Sequence, residues 1–214
     1  MTMLDFDTAL AACPLIAILR GVRPDEVVAI GHELVDAGFR LIEVPMNSPS
    51  PLESIEALQK TFGDRVMIGA GTVLSPDVVD QVASIGGRLI VMPHGDTRVV
   101  TAAHRKGLIC TPGVATPTEG FAALAAGAAA LKLFPAEQSS PGILKAWRSV
   151  FPVGTRFIPV GGITPDNMGP WLEAGAAGFG LGSALYRKGD SAAAVGEKAR
   201  RFIAALNTKQ GDDA

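Results

Sequence analysis

Cysteine is scarce in this chain. Only Cys13 and Cys110 carry a thiol among 214 residues. They form neither a CxxC pair nor a disulfide framework, which points to a reduced, cytoplasmic compartment. Histidine is nearly as scarce. His32, His94 and His104 lack metal-ligand spacing, so no metal site is expected, although carboxylates holding a magnesium ion stay open. Charge of one sign is lacking too. A formal net charge of -2 leaves no electrostatic footprint for nucleic acid. The most apolar run, Gly120 to Leu131, is mostly alanine and too short to span a bilayer. Asp5 and Asp7 stand where a signal peptide carries basic residues. No GxGxxG follows the first apolar strand, which counts against a dinucleotide fold.

What is present is a core-forming chain. Hydrophobic residues make up 48% and charged residues 19%, a globular balance. No linker, low-complexity tract or charge block divides it, so residues 1–214 are expected to form one domain. After a short helix at 5–12, apolar strands are expected at 15–19, 41–45, 66–70, 89–92, 108–111, around Lys132, at 156–160 and at 178–181. Helices follow each. Several start on a proline-led signature: Pro24, Ser75-Pro76, Thr116-Pro117 with Glu119 closing a capping box, and Thr164-Pro165-Asp166. A closing helix runs from Asp190 to Leu206, and the tail Gly211 to Ala214 should fray. Strict strand–helix alternation implies a parallel sheet with right-handed crossovers. Eight units most simply close into a (β/α)8 TIM barrel. An open doubly wound sheet is the alternative.

The stretch Ala130-Leu131-Lys132-Leu133-Phe134-Pro135 carries a single charge in an apolar strand. Alternation puts Ala130, Lys132 and Phe134 on one face, and Leu131 and Leu133 on the other. A lysine turned indoors tends to lose its proton and becomes a nucleophile toward carbonyls. The competing reading is a strand-end lysine that snorkels to water. Ile42 and Val44 share one face of the second strand, so Glu43 takes the inward face, either as proton carrier or as the ion-pair partner of Lys132 or Arg20. Active sites of such barrels lie at the strand C-termini. Arg20, Glu43, Thr72, His94, Lys132, Gly161-Gly162 and Gly182-Ser183 all fall there. The last two pairs follow strands seven and eight, the usual phosphate position, where glycines admit backbone N–H groups to an anion. They equally suit tight turns. Thr72 is either a carboxylate donor or a helix cap. An amine, a carboxylate, an arginine and a phosphate cradle together suggest a Schiff-base aldolase acting on a phosphorylated keto acid.

The motifs Ile18-Leu19-Arg20-Gly21, Ile42-Glu43-Val44-Pro45, Gly69-Ala70-Gly71-Thr72-Val73-Leu74, Leu131-Lys132-Leu133-Phe134-Pro135, Val160-Gly161-Gly162-Ile163-Thr164-Pro165 and Gly180-Leu181-Gly182-Ser183 occur in this order. On them the chain resembles the 2-keto-3-deoxy-6-phosphogluconate and 6-phosphogalactonate aldolases over nearly its whole length. The resemblance implies that Lys132 forms the imine with pyruvate and that Glu43 is the general acid/base. It implies that Arg20 and Thr72 hold the carboxylate, and that Gly161, Gly162, Gly182 and Ser183 hold the phosphate. A cofactor-free homotrimer is implied as well, with pyruvate and glyceraldehyde 3-phosphate as products. Three details lean to the galactonate type: Asn47-Ser48-Pro49 in place of Arg-Thr, Val160 before the double glycine in place of Thr, and the strand-one Arg20. Phe134-Pro135-Ala136-Glu137 is also common in gluconate-type enzymes. Val160 is therefore the expected determinant of epimer choice. The gluconate-type activity stays as an alternative. From another class, so does a phosphosugar isomerase or epimerase using Glu43 as base, and so does a non-catalytic phosphosugar-binding protein.

Overall fold

The computed structural model of the chain describes residues 4–210; the tail Gly211 to Ala214 lies outside the described residues. Strands and helices alternate along it: α1 (Phe6–Ala12), β1 (Leu15–Ile18), α2 (Pro24–Ala37), β2 (Leu41–Pro45), α3 (Pro51–Phe62), β3 (Met67–Gly71), α4 (Pro76–Ser84), β4 (Leu89–Val91), α5 (Thr97–Arg105), β5 (Ile109–Thr111), β6 (Gly113–Val114), α6 (Pro117–Ala125), β7 (Leu131–Leu133), α7 (Pro141–Arg148), β8 (Phe157–Pro159), α8 (Met168–Glu173), β9 (Phe179–Leu181) and α9 (Ala192–Gln210). A 3-10 turn, Ala136–Gln138, follows β7.

The strands pair in parallel as a six-stranded sheet ordered β5-β4-β3-β2-β1-β9 and a three-stranded sheet ordered β6-β7-β8. Two features connect them. Val160, just past β8, bridges in parallel to Gly180 in β9. On the other side, the expected fifth strand continues beyond Thr111 as β6. Pro112 interrupts the strand because proline has no N–H for the ladder. Hydrogen bonding nevertheless runs through the break: the N–H of Ala129 donates to the Cys110 carbonyl at 2.9 Å, and that of Lys132 donates to the Pro112 carbonyl at 2.9 Å.

Alternation along the strands divides the apolar residues into two cores. Leu15, Ala17, Ile42, Val44, Ile68, Ile90, Leu131, Leu133 and Leu181 pack with the helices in the larger core. Ile16, Ile18, Leu41, Met67, Leu89, Val91, Ala130, Ile158 and Val160 pack with one another on the opposite face. Phe6, Ala9 and Leu10 of α1 join this second core at the end where the strands begin. Asp7 of α1 pairs with Arg156 at 2.8 Å, and Arg88 donates to the Leu4 carbonyl at 2.7 Å. Each fully buried Leu, Ile or Phe contributes roughly 1.5–3 kcal/mol.

Two helix starts differ from expectation. Ser75 precedes α4, but its side chain makes no cap hydrogen bond. The Thr164-Pro165-Asp166 signature does not open α8, whose N-cap is Asn167. The Asn167 amide is used inside the preceding turn: Oδ1 accepts from Thr164 N at 2.9 Å and Nδ2 donates to the Gly162 carbonyl at 2.8 Å. Asparagine side chains readily bond to nearby backbone in this way, and here the bonds brace the double-glycine loop. The Thr116–Glu119 capping box forms as expected.

Candidate active site

At the C-terminal ends of the strands lies a pocket of about 740 Å³. Lys132 reaches it from β7. Its side chain leaves on the face shared with Ala130 and Phe134, while Leu131 and Leu133 turn to the helices. The residue is only 5% exposed. Its ammonium stands 4.6 Å from the Phe134 ring centroid. Burial lowers its pKa below the usual lysine range; the charge of Glu43 opposes this and that of Arg20 adds to it. Burial disfavours a lone cation, so the neutral amine gains population.

Glu43, in β2, is 1% exposed and is not among the residues that line the pocket. Ile42 and Val44 face the helices, which leaves the carboxylate on the inner side. Its Oε2 has no hydrogen-bond partner, and among the described residues no ion pair joins it to Lys132 or Arg20. Burial pushes its carboxyl up to about 7, with the charges of Lys132 and then Arg20 pulling the other way. Both members of the pair are thus driven toward their neutral forms. Gly71 makes room for this carboxylate, because a β-carbon there would collide with Oε2.

Arg20 is exposed at the end of β1 and lines the pocket. Its Nη1 donates to Asn47 Oδ1 at 2.7 Å and to Thr72 Oγ1 at 3.4 Å. Arg20 and Thr72, distant in sequence, are thereby brought together. Thr72 holds φ at 55°, a left-handed conformation that β-branched residues rarely adopt and that clusters at functional sites. Gly161, Gly162, Gly182 and Ser183 line the pocket together with Val160. Val160 is 6% exposed and packs against Gly180. His94 is exposed and does not line the pocket.

None of the sequence motifs singles out the basic residue that the fold brings to the Gly182-Ser183 loop. Arg187 and Lys188 line the same pocket. The chain turns directly after Ser183, with the N–H groups of Leu185 and Tyr186 bonded to the Gly182 carbonyl. That turn returns Arg187 over the loop, where its Nε donates to the Ser183 carbonyl at 3.1 Å. The spacing of four residues from Ser183 was the available signal. Tyr186 also lines the pocket, and its hydroxyl donates to Glu26 Oε1 at 3.1 Å. Glu137 was missed as well; its side chain lies against both Gly161 and Gly162. Among the described residues, no group of three or more His, Cys, Asp or Glu side chains could hold a metal ion.

A buried lysine with a lowered pKa and a carboxyl with a raised one, in and next to a pocket that glycines also line, are suited to carbonyl chemistry. The model of the aldolase family described as KDPG and KHG aldolase matches residues 6–196. The chain belongs to the KDPG and KHG aldolase family. As an aldolase it is a lyase. It is 47% identical over 192 residues to the 2-dehydro-3-deoxy-6-phosphogalactonate aldolase of Escherichia coli (strain K12), a match covering 90% of this chain and 94% of that one. It is 43% identical over 198 residues to the probable 2-dehydro-3-deoxy-6-phosphogalactonate aldolase of Rhizobium meliloti (strain 1021), covering 92% and 93%. Among solved structures it superposes on a native KDPGal structure with a TM-score of 0.91 and 45% identity, over 92% of this chain and 96% of that one.

Proposed function

We propose that the chain is a class I aldolase that cleaves 2-dehydro-3-deoxy-6-phosphogalactonate to pyruvate and glyceraldehyde 3-phosphate without a cofactor. The observation that carries this reading is Lys132, 5% exposed on an apolar strand, its pKa lowered by burial and its amine turned into the pocket. Nζ attacks the C2 ketone, and loss of water leaves an iminium. Glu43 takes the proton of the C4 hydroxyl. The C3–C4 bond breaks, the aldehyde departs, and the electron pair enters the iminium to give an enamine. Glu43 returns the proton to C3, and water releases pyruvate and the free amine. A carboxyl titrating near 7 suits both directions of that transfer.

Arg20 and Thr72 are assigned to the substrate carboxylate. Gly161, Gly162, Gly182 and Ser183 are assigned to the phosphate, with Arg187 and Lys188 supplying charge. Val160 is assigned to epimer choice. The galactonate reading draws on Asn47, Val160 and Arg20, and on the names of the relatives at 47% and 43% identity. We further propose that the sheets close into a single-domain (β/α)8 TIM barrel. The Val160–Gly180 bridge and the bonds to Cys110 and Pro112 support it, and β5 and β6 then count as one strand. A cytoplasmic homotrimer completes the reading. Among the described residues no helix is long and apolar enough to cross a membrane.

Reduction with borohydride in the presence of pyruvate tests the chemistry. Peptide mapping should find the adduct on Lys132; an adduct on Lys106 or Lys145, or none, would overturn the assignment. An isomerase or epimerase that uses Lys132 only as a charge would not be trapped. Assaying both 6-phosphorylated epimers side by side tests the substrate, and sedimentation analysis tests the trimer.

A further inference from the structure

Arginine is a long side chain with many rotamers, and an exposed one needs an anchor before it can define a binding geometry. At the end of β1 that anchor comes from the segment after β2. Met46 N donates to the Gly71 carbonyl at 2.7 Å, tying the segment to the end of β3. Gly21 N donates to Ser48 Oγ at 2.9 Å, tying it to the residue after Arg20. Ser48 is itself buried. Asn47 stands between these two ties. Its Oδ1 accepts from Arg20 Nη1 at 2.7 Å, the shorter of the two bonds that Arg20 makes there.

We propose that Asn47 is a positioning residue, which aims the guanidinium of Arg20 at the imine end of the pocket and so sets how the keto-acid carboxylate is held. The inference rests on the aldolase reading and goes beyond it. Chemistry favours an amide in this place. Arginine offers only donors, so its anchor must present an acceptor. An aspartate would accept equally well but would neutralise the charge needed for the substrate. Because Nη1 alone serves both Asn47 and Thr72, the other nitrogens of the fork stay free for a carboxylate.

The position of Arg20 also bears on the titrating pair. The charges facing Glu43 are Lys132 and Arg20, and those facing Lys132 are Glu43 and Arg20. Glu137, Arg187 and Lys188 line the same pocket. The Arg20 charge lowers both pKa values, so releasing it should move both upward.

The experiment uses the full chain in the direction of synthesis from pyruvate and glyceraldehyde 3-phosphate. Asn47 is exposed, so its substitution leaves the core intact. Asn47→Ala should raise KM for pyruvate about tenfold, the size expected of one hydrogen bond to a charged group. It should leave KM for glyceraldehyde 3-phosphate unchanged and move both midpoints of the pH–rate profile upward. Asn47→Asp should hold Arg20 in place yet still raise KM for pyruvate, because it cancels the charge. An unchanged KM for pyruvate with unmoved midpoints in Asn47→Ala would overturn the inference. So would equal losses for both substrates, the mark of general loosening. Failure to trap wild type with pyruvate and borohydride would instead sink the aldolase reading itself, which keeps the two failures apart.

Discussion

The two ends of the pocket are built on different principles. At the proposed imine end, Lys132 and Glu43 stand on strands, 5% and 1% exposed, and burial shifts both from their ordinary pKa values. At the phosphate end, the proposed ligands are loop glycines and Ser183, with Arg187 and Lys188 on the wall. Strands fix a side chain within a packed lattice and keep it dry, which is what a reactive group requires. Loops offer backbone N–H groups in an open concavity, which is what a strongly hydrated anion requires. On the proposed reading, the contrast means that reactivity is governed by desolvation and recognition by backbone approach. Substitutions at the two ends should therefore fail in different ways.

The largest effect is expected at the nucleophile. Lys132→Ala should abolish both turnover and trapping, a loss of roughly 10⁴-fold or more for a covalent catalyst. Lys132→Arg should do the same, because guanidinium stays protonated. Substantial turnover in either variant, measured with purified protein, would erase the distinction between the ends. Glu43→Gln should lower kcat by ~10²–10⁴-fold and slow exchange of the pyruvate methyl protons into deuterated water. The same variant tests the desolvation half of the comparison. Between the ordinary 4.5 and about 7, folded protein keeps a proton that the unfolded chain releases. Stability should therefore fall as pH rises through that window, by up to ~3 kcal/mol. Glutamine has no such proton, so urea midpoints should place Glu43→Gln above wild type at pH 8 and nearer to it at pH 5.

Effects at the other end should be smaller and confined to recognition. Val160→Thr should shift the ratio of kcat/KM between the two epimers toward the gluconate type by roughly 5- to 150-fold, the range of one buried hydrogen bond. Imine formation with pyruvate should hardly change. A ratio that does not move would leave the galactonate preference resting on similarity alone. The smallest change is expected for Gly162→Ala. Gly162 sits at φ 64°, where a β-carbon costs ~1–2 kcal/mol. KM for the phosphorylated aldehyde should rise about tenfold, with trapping intact. The new β-carbon would also meet Glu137 Cγ at 2.9 Å. Gly162→Ala combined with Glu137→Ala thus separates lost phosphate contact from simple crowding.

Parity made the imine end legible in the sequence. Lys132 and Glu43 each interrupt an apolar strand, and period-two alternation assigns their face without any knowledge of neighbouring strands. The glycine pairs were legible for a similar reason, since they follow strands at fixed places in the repeat. What stayed hidden depends on contacts across the fold. The Arg20–Asn47 bond joins residues 27 apart, and no local pattern announces it. Arg187 and Lys188 belong to no strand end or motif of the repeat, and only the turn after Gly182 brings them to the pocket. The proline signature at Thr164-Pro165 misled because the Asn167 amide serves the Gly162 loop, so the helix starts later. The strand broken at Pro112 looked finished there, since only pairing with β7 reveals its continuation.

The helix α1, through Phe6 and Leu10, fills the inner core at the end of the strands away from the pocket. On the proposed reading pyruvate is held deepest, through its bond to Lys132, and the phosphorylated aldehyde lies nearer the exit. The order of traffic then follows from the covalent bond: the aldehyde leaves first and pyruvate last, and synthesis runs in the reverse order. Pyruvate should accordingly compete with the sugar acid for the free protein, whereas glyceraldehyde 3-phosphate should bind only once the imine has formed.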